Sequence, residues 1–147
     1  MKEHKHFGVY GLVTLNNKIL LINKKTGPYD GKLDLPGGTI DFCETPVDTL
    51  KREFLEEVGI EIEEYNLFDV DSVVVTWKHQ NELIKTHHTG IFYKIKSYKN
   101  DIKKEITIDS VNDDSLGADF YDIDKLDKTN LSAITILELE KLGYQIK

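Results

Sequence analysis

One stretch, residues 38–60, constrains the fold of this chain more than any other, with the sequence GTIDFCETPVDTLKREFLEEVGI. It follows the turn LPGG and carries the signals of a helix at both ends. Thr45 can cap the first turn, and Pro46 stands at the first helical position, where its missing N–H is not needed. Gly59 supplies the C-terminal stop. These start and stop signals therefore predict a short helix directly after a glycine turn.

The two faces of this predicted helix differ in character. At ~100° per residue one side is apolar, and Glu53, Glu56 and Glu57 fall within an arc of ~100° on another side. The apolar side comprises Val47, Leu50, Phe54, Leu55 and Val58. One face is expected to pack on a sheet while the other presents carboxylates.

A solvated, charged surface is the usual explanation for glutamate in a helix, but it fits this cluster poorly. Glu53 and Glu57 form a like-charge i,i+4 pair, and all three acids lie near the C-terminal end of the helix. Each of these two placements costs ~0.3 to 1 kcal/mol. A bound divalent cation removes both costs, and carboxylate oxygens suit Mg²⁺ or Mn²⁺.

The stretch resembles the Nudix box, G-x5-E-x7-R-E-U-x-E-E-x-G-U, in which U is an apolar residue. The matching residues are Gly38, Glu44, Arg52, Glu53, Phe54, Glu56, Glu57, Gly59 and Ile60. Two departures lie away from the acids: Phe54 is bulkier than the usual aliphatic residue, and Leu33 stands where a Trp often precedes the turn. The resemblance to this MutT-like family implies a single Nudix domain over residues 1–147, with an α/β/α sandwich around a mixed β-sheet.

The same resemblance implies roles for the box residues. Glu53, Glu56 and Glu57 hold Mg²⁺, with Mn²⁺ as a substitute, and a backbone carbonyl of Gly37 or Gly38 joins them. The general base is Glu53 in some relatives and an acid of a late loop in others. That loop acid falls here on Asp113 or Asp114, with Glu105 as a further candidate, and Asp114 is included in the predicted metal set. The predicted catalytic residues are Glu44, Arg52, Glu53 and Glu57, of which Arg52 and Glu44 are a supporting pair that orients loop and helix.

Candidate substrate contacts come from two other regions. Residues 24–32, KKTGPYDGK, have the Gly, Pro and Asp content of a surface loop. Lys24, Lys25 or Lys32 can meet phosphate there and Tyr29 can pack on a base, although a plain solvated loop has the same composition. Trp77 can stack on a nucleobase, whereas most such aromatic residues simply pack in a core. The predicted substrate-binding residues are Lys24, Tyr29, Lys32 and Trp77.

The rest of the chain alternates between strand and helix signals. Residues 1–6 are expected to form a flexible polar tail in which His4 and His6 are solvated. Residues 7–15 and 18–23 predict two strands joined at Asn16-Asn17, and residues 67–78 and 83–96 predict a long antiparallel hairpin reversed at Gln80-Asn81. A short strand is expected near Ile106 and Ile108. Zinc binding by His79, His87 and His88 is not expected, because adjacent residues of a strand point to opposite faces.

A final helix is predicted after residue 130. Asn130 or Ser132 can cap it, and Gly143 ends it. Its apolar stripe comprises Leu131, Ile134, Leu137 and Leu142. We expect this helix to pack across the sheet from the box helix.

Composition limits the classes of partner. With 147 residues and 39% hydrophobic content, the chain can form one domain with a sizeable core. A net charge of −7 argues against binding a long nucleic acid and favours a small phosphorylated substrate met locally by metal and a few lysines. One cysteine, Cys43, excludes an internal disulfide framework, and no apolar run is long enough for a membrane span. We expect a cytoplasmic monomer or homodimer.

The sequence therefore predicts Mg²⁺-dependent hydrolysis of a diphosphate bond in a nucleoside diphosphate linked to another group. A non-hydrolytic nucleotide-binding sensor of the same fold is the alternative. Relatives that cleave ADP-ribose often carry a Pro a short distance past the box, and those that cleave dinucleoside polyphosphates often carry a Tyr slightly further on. This chain reads VVVTWK there, with neither residue. A nucleoside triphosphate, a nucleotide sugar and a capped RNA end remain open.

Overall fold

The computed structural model describes residues 1–102 and 115–147. The strands in these ranges are β1 (Lys2–Leu12), β2 (Thr14–Leu15), β3 (Lys18–Lys24), β4 (Leu33–Asp34), β5 (Gly37–Thr39), β6 (Glu61–His79), β7 (Glu82–Lys99) and β8 (Ser115–Asp122). The helices are α1 (Pro46–Glu57) and α2 (Ala133–Lys141). The strand predicted near Ile106 and Ile108 lies outside the described residues, as do Glu105, Asp113 and Asp114.

A mixed sheet carries the site. Its strand order is β5-β1-β7-β6, in which β1 runs parallel to β7 and the other pairs are antiparallel. The β6–β7 hairpin reverses at Gln80 and Asn81, whose φ angles of 50° and 65° are those of a tight hairpin turn. A second, antiparallel sheet contains β2, β3, β4 and β8. The predicted α/β fold with a mixed sheet is confirmed, while the second sheet was not foreseen.

The two helices pack on opposite sides of β3. Leu20 and Ile22 belong to the hydrophobic cluster that contains Leu50 and Phe54 of α1. The alternate residues of β3, Ile19 and Leu21, belong to the cluster that contains Ile134 and Leu139 of α2. Because successive strand residues face opposite sides, this division places one helix on each side, as the sequence predicted.

Helix α1 begins and ends where the sequence predicted. The Thr45 hydroxyl accepts a hydrogen bond from the Asp48 N–H at 3.1 Å, and the Asp48 carboxylate accepts one from the Thr45 N–H at 3.0 Å. Gly59 has φ 82° and follows the last turn. One residue of the predicted apolar face was misplaced: Leu55 is 57% exposed, because it lies ~100° around the helix from buried Phe54.

The N-terminal residues are not the flexible tail predicted from their polarity. Residues 2–6 form the first part of β1 and pair in parallel with residues 84–88 of β7. The long β6–β7 hairpin offers a row of backbone groups beyond the core, and pairing satisfies them whatever side chains β1 carries. The strand predicted over residues 7–15 also divides at Val13, where the chain passes from the mixed sheet to the second sheet.

Helix α2 is capped by Ser132, whose hydroxyl accepts from the Thr135 N–H at 3.3 Å. Leu139, rather than the predicted Leu137, is fully buried in the core. Beside it, burial raises the pKa of Glu138 to about 8. Neither α1 nor α2 is long and apolar enough to cross a membrane, and the described residues contain no other helix that is.

Candidate active site

The glycine turn before α1 lies against the end of that helix. The Gly37 N–H donates to Oε1 of Glu57 at 2.8 Å. Gly37 has φ 145°, and a Cβ there would lie 2.1 Å from the Val9 carbonyl oxygen. A Cβ on Gly38 would lie 2.6 Å from the Glu53 carboxylate. Glycine is therefore required at Gly37 for β5 to pair this closely with β1, and the absence of a side chain at Gly38 leaves room for the Glu53 carboxylate beside it.

Arg52 joins the acids of the box into one network. Its Nε and Nη2 donate to the two oxygens of Glu44 at 2.7 and 2.9 Å, and its Nη1 donates to Glu53 at 2.9 Å and to Glu56 at 3.4 Å. Nη2 also donates to the Thr39 carbonyl at 3.1 Å, which ties α1 to β5. Hydrogen bonding to Arg52 lowers the pKa of Glu44 to about 2, and the same bond raises the pKa of Arg52. Both groups are therefore charged at neutral pH.

Glu44 also fixes the loop that precedes α1. Its Oε1 accepts from the Asp41 N–H at 2.9 Å and from the Thr49 hydroxyl at 3.0 Å. The loop contains Cys43, whose φ of 70° is unusual for a residue with a side chain, and Phe42, which is 97% exposed. The Glu44–Arg52 pair thus sets the path of the chain between β5 and α1.

The three box glutamates differ in exposure and in orientation. Glu53 and Glu56 turn toward Arg52, whereas Glu57 is 1% exposed and turns toward the Gly37 N–H. Among the described residues, no three His, Cys, Asp or Glu side chains converge in the arrangement of a metal site. The donors nevertheless fit a hard divalent cation, because they are carboxylate oxygens and because Gly38 leaves its backbone open beside Glu53.

A cavity of about 600 Å³ connects Glu53 and Glu56 with an aromatic surface, while the buried Glu57 is absent from its described lining. Its acid end is formed by Gly38, Asp41, Glu53 and Glu56, and its aromatic wall by Tyr10, Tyr29, Trp77 and His88. The strand register separates the acid end from the aromatic wall. Thr39, next to Gly38, pairs with Gly8 of β1, whereas Trp77 of β6 and Lys2 of β1 both pair with Ile84 of β7. From Lys2 to Gly8, β1 advances by six residue steps, or about 20 Å, so the cavity is long enough to hold a nucleotide.

The substrate-binding residues predicted from the sequence do not all reach this cavity. Lys24, Tyr29 and Trp77 line it, but Lys32 is absent from the described lining. The backbone of Lys32 closes the loop instead, since its carbonyl accepts from the Lys24 N–H at 3.0 Å and its N–H donates to the Tyr29 carbonyl at 2.9 Å. Tyr29, expected on a surface loop, is 4% exposed. The Trp77 indole N–H donates to the Thr86 hydroxyl at 2.8 Å, which fixes its ring.

A cluster around His88 was missed by the sequence reasoning. Its Nε2 and Nδ1 lie 2.6 Å from the Tyr10 hydroxyl and 2.9 Å from the Tyr29 hydroxyl. The His6 ring stacks on His88 at 4.4 Å, and His6 Nε2 lies 3.0 Å from the Thr39 hydroxyl, so His6 is not the solvated residue predicted. Isolated glycines inside strands, Gly8 and Gly90, were the available signal, because they often mark a close approach.

Burial sets the protonation of this cluster. Burial, with the nearby His6, Lys24 and His4, lowers the pKa of His88 to about 3. Burial and then the charge of Asp34 raise the pKa of Tyr29 above its usual value. The aromatic wall is therefore uncharged at neutral pH.

Comparison with known proteins agrees with the box. The family model described as NUDIX domain matches residues 3–137. The chain is 28% identical over 125 residues to the ADP-ribose pyrophosphatase of Methanocaldococcus jannaschii, covering 85% of this chain and 66% of that protein. It is 38% identical over 55 residues to the 8-oxo-dGTP diphosphatase of Escherichia coli K12, covering 37% of this chain and 43% of that protein. The chain thus spans less than two thirds of the length of these curated relatives.

Solved structures show the same fold. A MutT NUDIX hydrolase from Burkholderia pseudomallei aligns with a TM-score of 0.74 and 24% identity, covering 95% of this chain and 99% of that one. A MutT protein from Methanosarcina mazei Go1 aligns with a TM-score of 0.62 and 17% identity, covering 99% of both chains. The family model covers far more than half of the sequence, from residue 3 to residue 137. The chain belongs to the Nudix family.

Proposed function

We propose that this chain is a divalent-metal-dependent hydrolase that cleaves a diphosphate bond in a nucleoside diphosphate linked to another group. The observation that carries the proposal is a single cavity that holds the acid end and the aromatic wall together. A diphosphate is anionic and a nucleoside is a flat, largely uncharged ring system, so the two parts of such a substrate differ as the two parts of the cavity do. The names of the two curated relatives, a pyrophosphatase and a diphosphatase, support the same class of reaction.

The residues proposed to hold Mg²⁺ are Glu53, Glu56, Glu57 and the backbone of Gly38. Asp114, predicted to join them, lies outside the described residues. A bound Mg²⁺ supplies charge neutralisation for the diphosphate and activation of the attacking water. Because Glu57 already accepts the Gly37 N–H, its carboxylate keeps the glycine turn in place while contributing its charge.

Arg52 and Glu44 act by positioning in this proposal. Arg52 contacts Glu53 and Glu56 through one guanidinium nitrogen and the Thr39 carbonyl through another, so it holds α1 and the glycine turn next to each other. Among the described acids, Glu53 is proposed as the general base, because it lines the cavity beside Gly38. A base must lie within hydrogen-bond reach of the water it deprotonates.

Lys24 and Trp77 are proposed to bind the rest of the substrate. Lys24 brings a positive charge to the cavity and suits a phosphate oxygen. Trp77 offers a ring whose only polar group is already bonded to Thr86, so its face suits stacking on a base.

The proposal is tested by ³¹P NMR of the products formed with Mg²⁺ from a panel of nucleotides. The panel comprises nucleoside triphosphates, 8-oxo-dGTP, ADP-ribose, a nucleotide sugar and a capped dinucleotide. We expect cleavage of at least one member, and a fall in kcat/KM of about 100-fold or more in Glu53→Gln and in Glu57→Gln, which keep shape but remove charge. Glu140→Gln, an exposed change on α2, is the matched control and should keep the wild-type rate.

Wild-type rates in both glutamine variants would contradict the role given to the acid end. Cleavage of non-nucleotide diphosphates alone would exclude the nucleoside part of the proposal. Tight nucleotide binding without turnover would instead indicate the alternative function, a sensor of the same fold.

A further inference from the structure

We propose that His88 is a positioning residue for the nucleoside end of the substrate, which fixes the Tyr29 hydroxyl in the cavity wall so that it bonds the base or the ribose. The inference rests on the proposed function of the same cavity and names which part of the substrate its aromatic wall receives. The group involved, His6, Tyr10, Tyr29 and His88, is called the His88 cluster.

Both ring nitrogens of His88 are engaged by tyrosine. The Tyr10 hydroxyl lies 2.6 Å from Nε2 and the Tyr29 hydroxyl lies 2.9 Å from Nδ1, on a side chain that is 1% exposed. A neutral imidazole has one N–H and one lone pair, so one tyrosine accepts from the ring and the other donates to it. In either case the Tyr29 hydroxyl, which has one proton and two lone pairs, uses only one of them on His88 and can make a further hydrogen bond. The wall therefore presents to the cavity a Tyr29 hydroxyl whose position is set by His88.

A pair of glycines makes this arrangement possible. Gly8 and Gly90 are partners in the parallel register of β1 and β7. A Cβ on Gly8 would lie 2.3 Å from the Tyr10 hydroxyl, and a Cβ on Gly90 would lie 2.4 Å from the Phe92 ring. The Tyr10 and Phe92 rings lie over these glycines and stack at 5.7 Å. Tyr10 can thus reach back along the strand to His88.

The bond from His88 to Tyr29 also anchors the substrate loop. Tyr29 is the buried residue of the 3-10 turn Gly27–Tyr29, and Lys24, Thr26 and Pro28 of the same loop line the cavity. The positions of Thr26 and Pro28 therefore depend on where the Tyr29 ring is held, whereas Lys24 is fixed separately as the last residue of β3, with its N–H bonded to the Lys32 carbonyl. His88 provides a fixed point for the Tyr29 ring on β7, a central strand of the mixed sheet.

The chemistry of the wall favours an uncharged ring over a phosphate. His88 is neutral at physiological pH because burial lowers its pKa to about 3, and Tyr10 and Tyr29 contribute hydroxyls and ring edges. A phosphate is better served at the acid end by bound metal. A nucleobase or ribose combines apolar area with groups that donate and accept hydrogen bonds, and the rings and hydroxyls of this wall offer the matching surface.

The test measures equilibrium binding in the presence of Mg²⁺ by calorimetry. The probes are the α,β-methylene analogues of ATP, GTP and CTP, which carry a nucleoside, and tripolyphosphate, which does not. The variants are His88→Phe, which keeps a ring beside His6, and Tyr29→Phe, which removes only the hydroxyl. His87→Phe is the matched control, because His87 is next to His88 in the sequence but is exposed on the opposite face of β7.

We expect Kd of the tightest analogue to rise about tenfold in His88→Phe and in Tyr29→Phe, the effect of one lost hydrogen bond. Tripolyphosphate should bind within about twofold of wild type, since the acid end is unchanged. The double variant should be no weaker than either single variant, because both remove the same bond. His88→Gln, whose amide can donate and accept, should recover part of the affinity, and His87→Phe should bind as wild type.

Unchanged nucleotide affinity in Tyr29→Phe would overturn the inference even if His88→Phe failed to fold. A parallel loss of tripolyphosphate binding would also overturn it, because that result indicates general damage to the cavity. So would a wild-type protein that binds none of the analogues. If the variants lost nucleotide affinity selectively but the wild-type protein cleaved no nucleotide, this inference would stand and the proposed hydrolysis would be overturned. If the wild-type protein cleaved a nucleotide but the variants bound it with unchanged affinity, the proposed hydrolysis would stand and this inference would be overturned.

Discussion

The two parts of the cavity are stabilised by opposite kinds of interaction. At the acid end, Arg52 binds Glu44, Glu53 and Glu56 through charged hydrogen bonds, and Glu56 remains mostly open to water. At the aromatic wall, His88 is buried and bonds to uncharged hydroxyls. Exposed charges can exchange partners when a cation arrives, whereas a buried neutral network keeps one geometry. The acid end is therefore suited to adapt to metal and phosphate, and the wall is suited to select a shape.

Removing the core contact beneath the acid end should have the largest effect. Phe54 is fully buried, and the tip of its ring occupies the space that a Cβ on Gly11 would need, 2.4 Å away. Phe54→Ala should lower the free energy of unfolding by about 3 to 5 kcal/mol. Denaturant unfolding measures it, with exposed Leu55→Ala as a control on the same helix that should change stability by less than about 0.5 kcal/mol. Similar losses in both variants would contradict the packing described for α1.

The next effect concerns the charge at the centre of the acid end. Arg52→Ala leaves Glu53 and Glu56 without the cation that spaces them, so kcat/KM should fall about 10- to 100-fold. Arg52→Lys should recover little, because an ammonium cannot make the bidentate contact with Glu44. Lys51→Ala is the neighbouring control and should retain activity. Full activity in Arg52→Ala would separate the network from catalysis.

The acid end could be predicted from the sequence because its determinants are local. A cap, a proline and a glycine stop define one helix, and helical periodicity places Glu53 and Glu56 close together on it. Glu57, predicted on the same exposed face, is buried and accepts the Gly37 N–H. The Thr45 cap, the bounds of α1 and the fold family all follow from that stretch. The prediction of a flexible tail at residues 2–6 failed because the order of these residues is not determined locally. It comes from their pairing with β7 rather than from their own composition.

Two members of the aromatic wall, Tyr29 and Trp77, were predicted to contact the substrate, but the His88 cluster could not be predicted because its members meet through strand register. Tyr10, Tyr29 and His88 come from three separate segments, and only the pairing of β1 with β7 brings the first and third together. Strand alternation did imply that His87 and His88 face opposite sides, and it is His88 that the core buries. Which face was the inner one depended on the side of the sheet that the Tyr29 loop covers, which periodicity alone does not give.

The pH dependence of stability distinguishes the wall from the rest of the molecule. The pKa of His88 is about 3 in the fold against 6.5 for the ordinary side chain, so between these values the unfolded chain binds a proton that the fold does not. Stability is therefore lost as pH falls through this window, by up to about 1.4 kcal/mol per pH unit. The free energy of unfolding of His88→Phe should therefore rise relative to that of wild type as pH falls from 6.5 to 5, measured by denaturant unfolding of both proteins at each pH.

Two other shifted groups do not disturb this comparison. The pKa of Glu44 is lowered to about 2, so its contribution is lost below pH 4.5, outside the measured range. Glu138, whose pKa is raised to about 8, stabilises the fold at low pH and loses that effect as pH rises, with a slope of the opposite sign. It does so equally in wild type and variant. His87→Phe should keep the wild-type slope, and an unchanged slope in His88→Phe would show that His88 is charged in the fold.

The smallest effect is expected at Lys32, which tests whether the cavity or the whole loop meets the substrate. The contribution of Lys32 to the loop is through its carbonyl and its N–H, which alanine retains, so Lys32→Ala should change KM for the best panel nucleotide by less than about twofold. Lys24→Ala removes a charge from the cavity itself and should raise KM about two- to fivefold, the value of one partly screened contact. Steady-state kinetics at two salt concentrations separates the two lysines, because the Lys24 effect should shrink with added salt. Equal changes in KM for the two lysine variants would mean that the charge of the loop acts at a distance. The whole loop, and not only its cavity-lining part, would then have to be included in the comparison of acid end and aromatic wall.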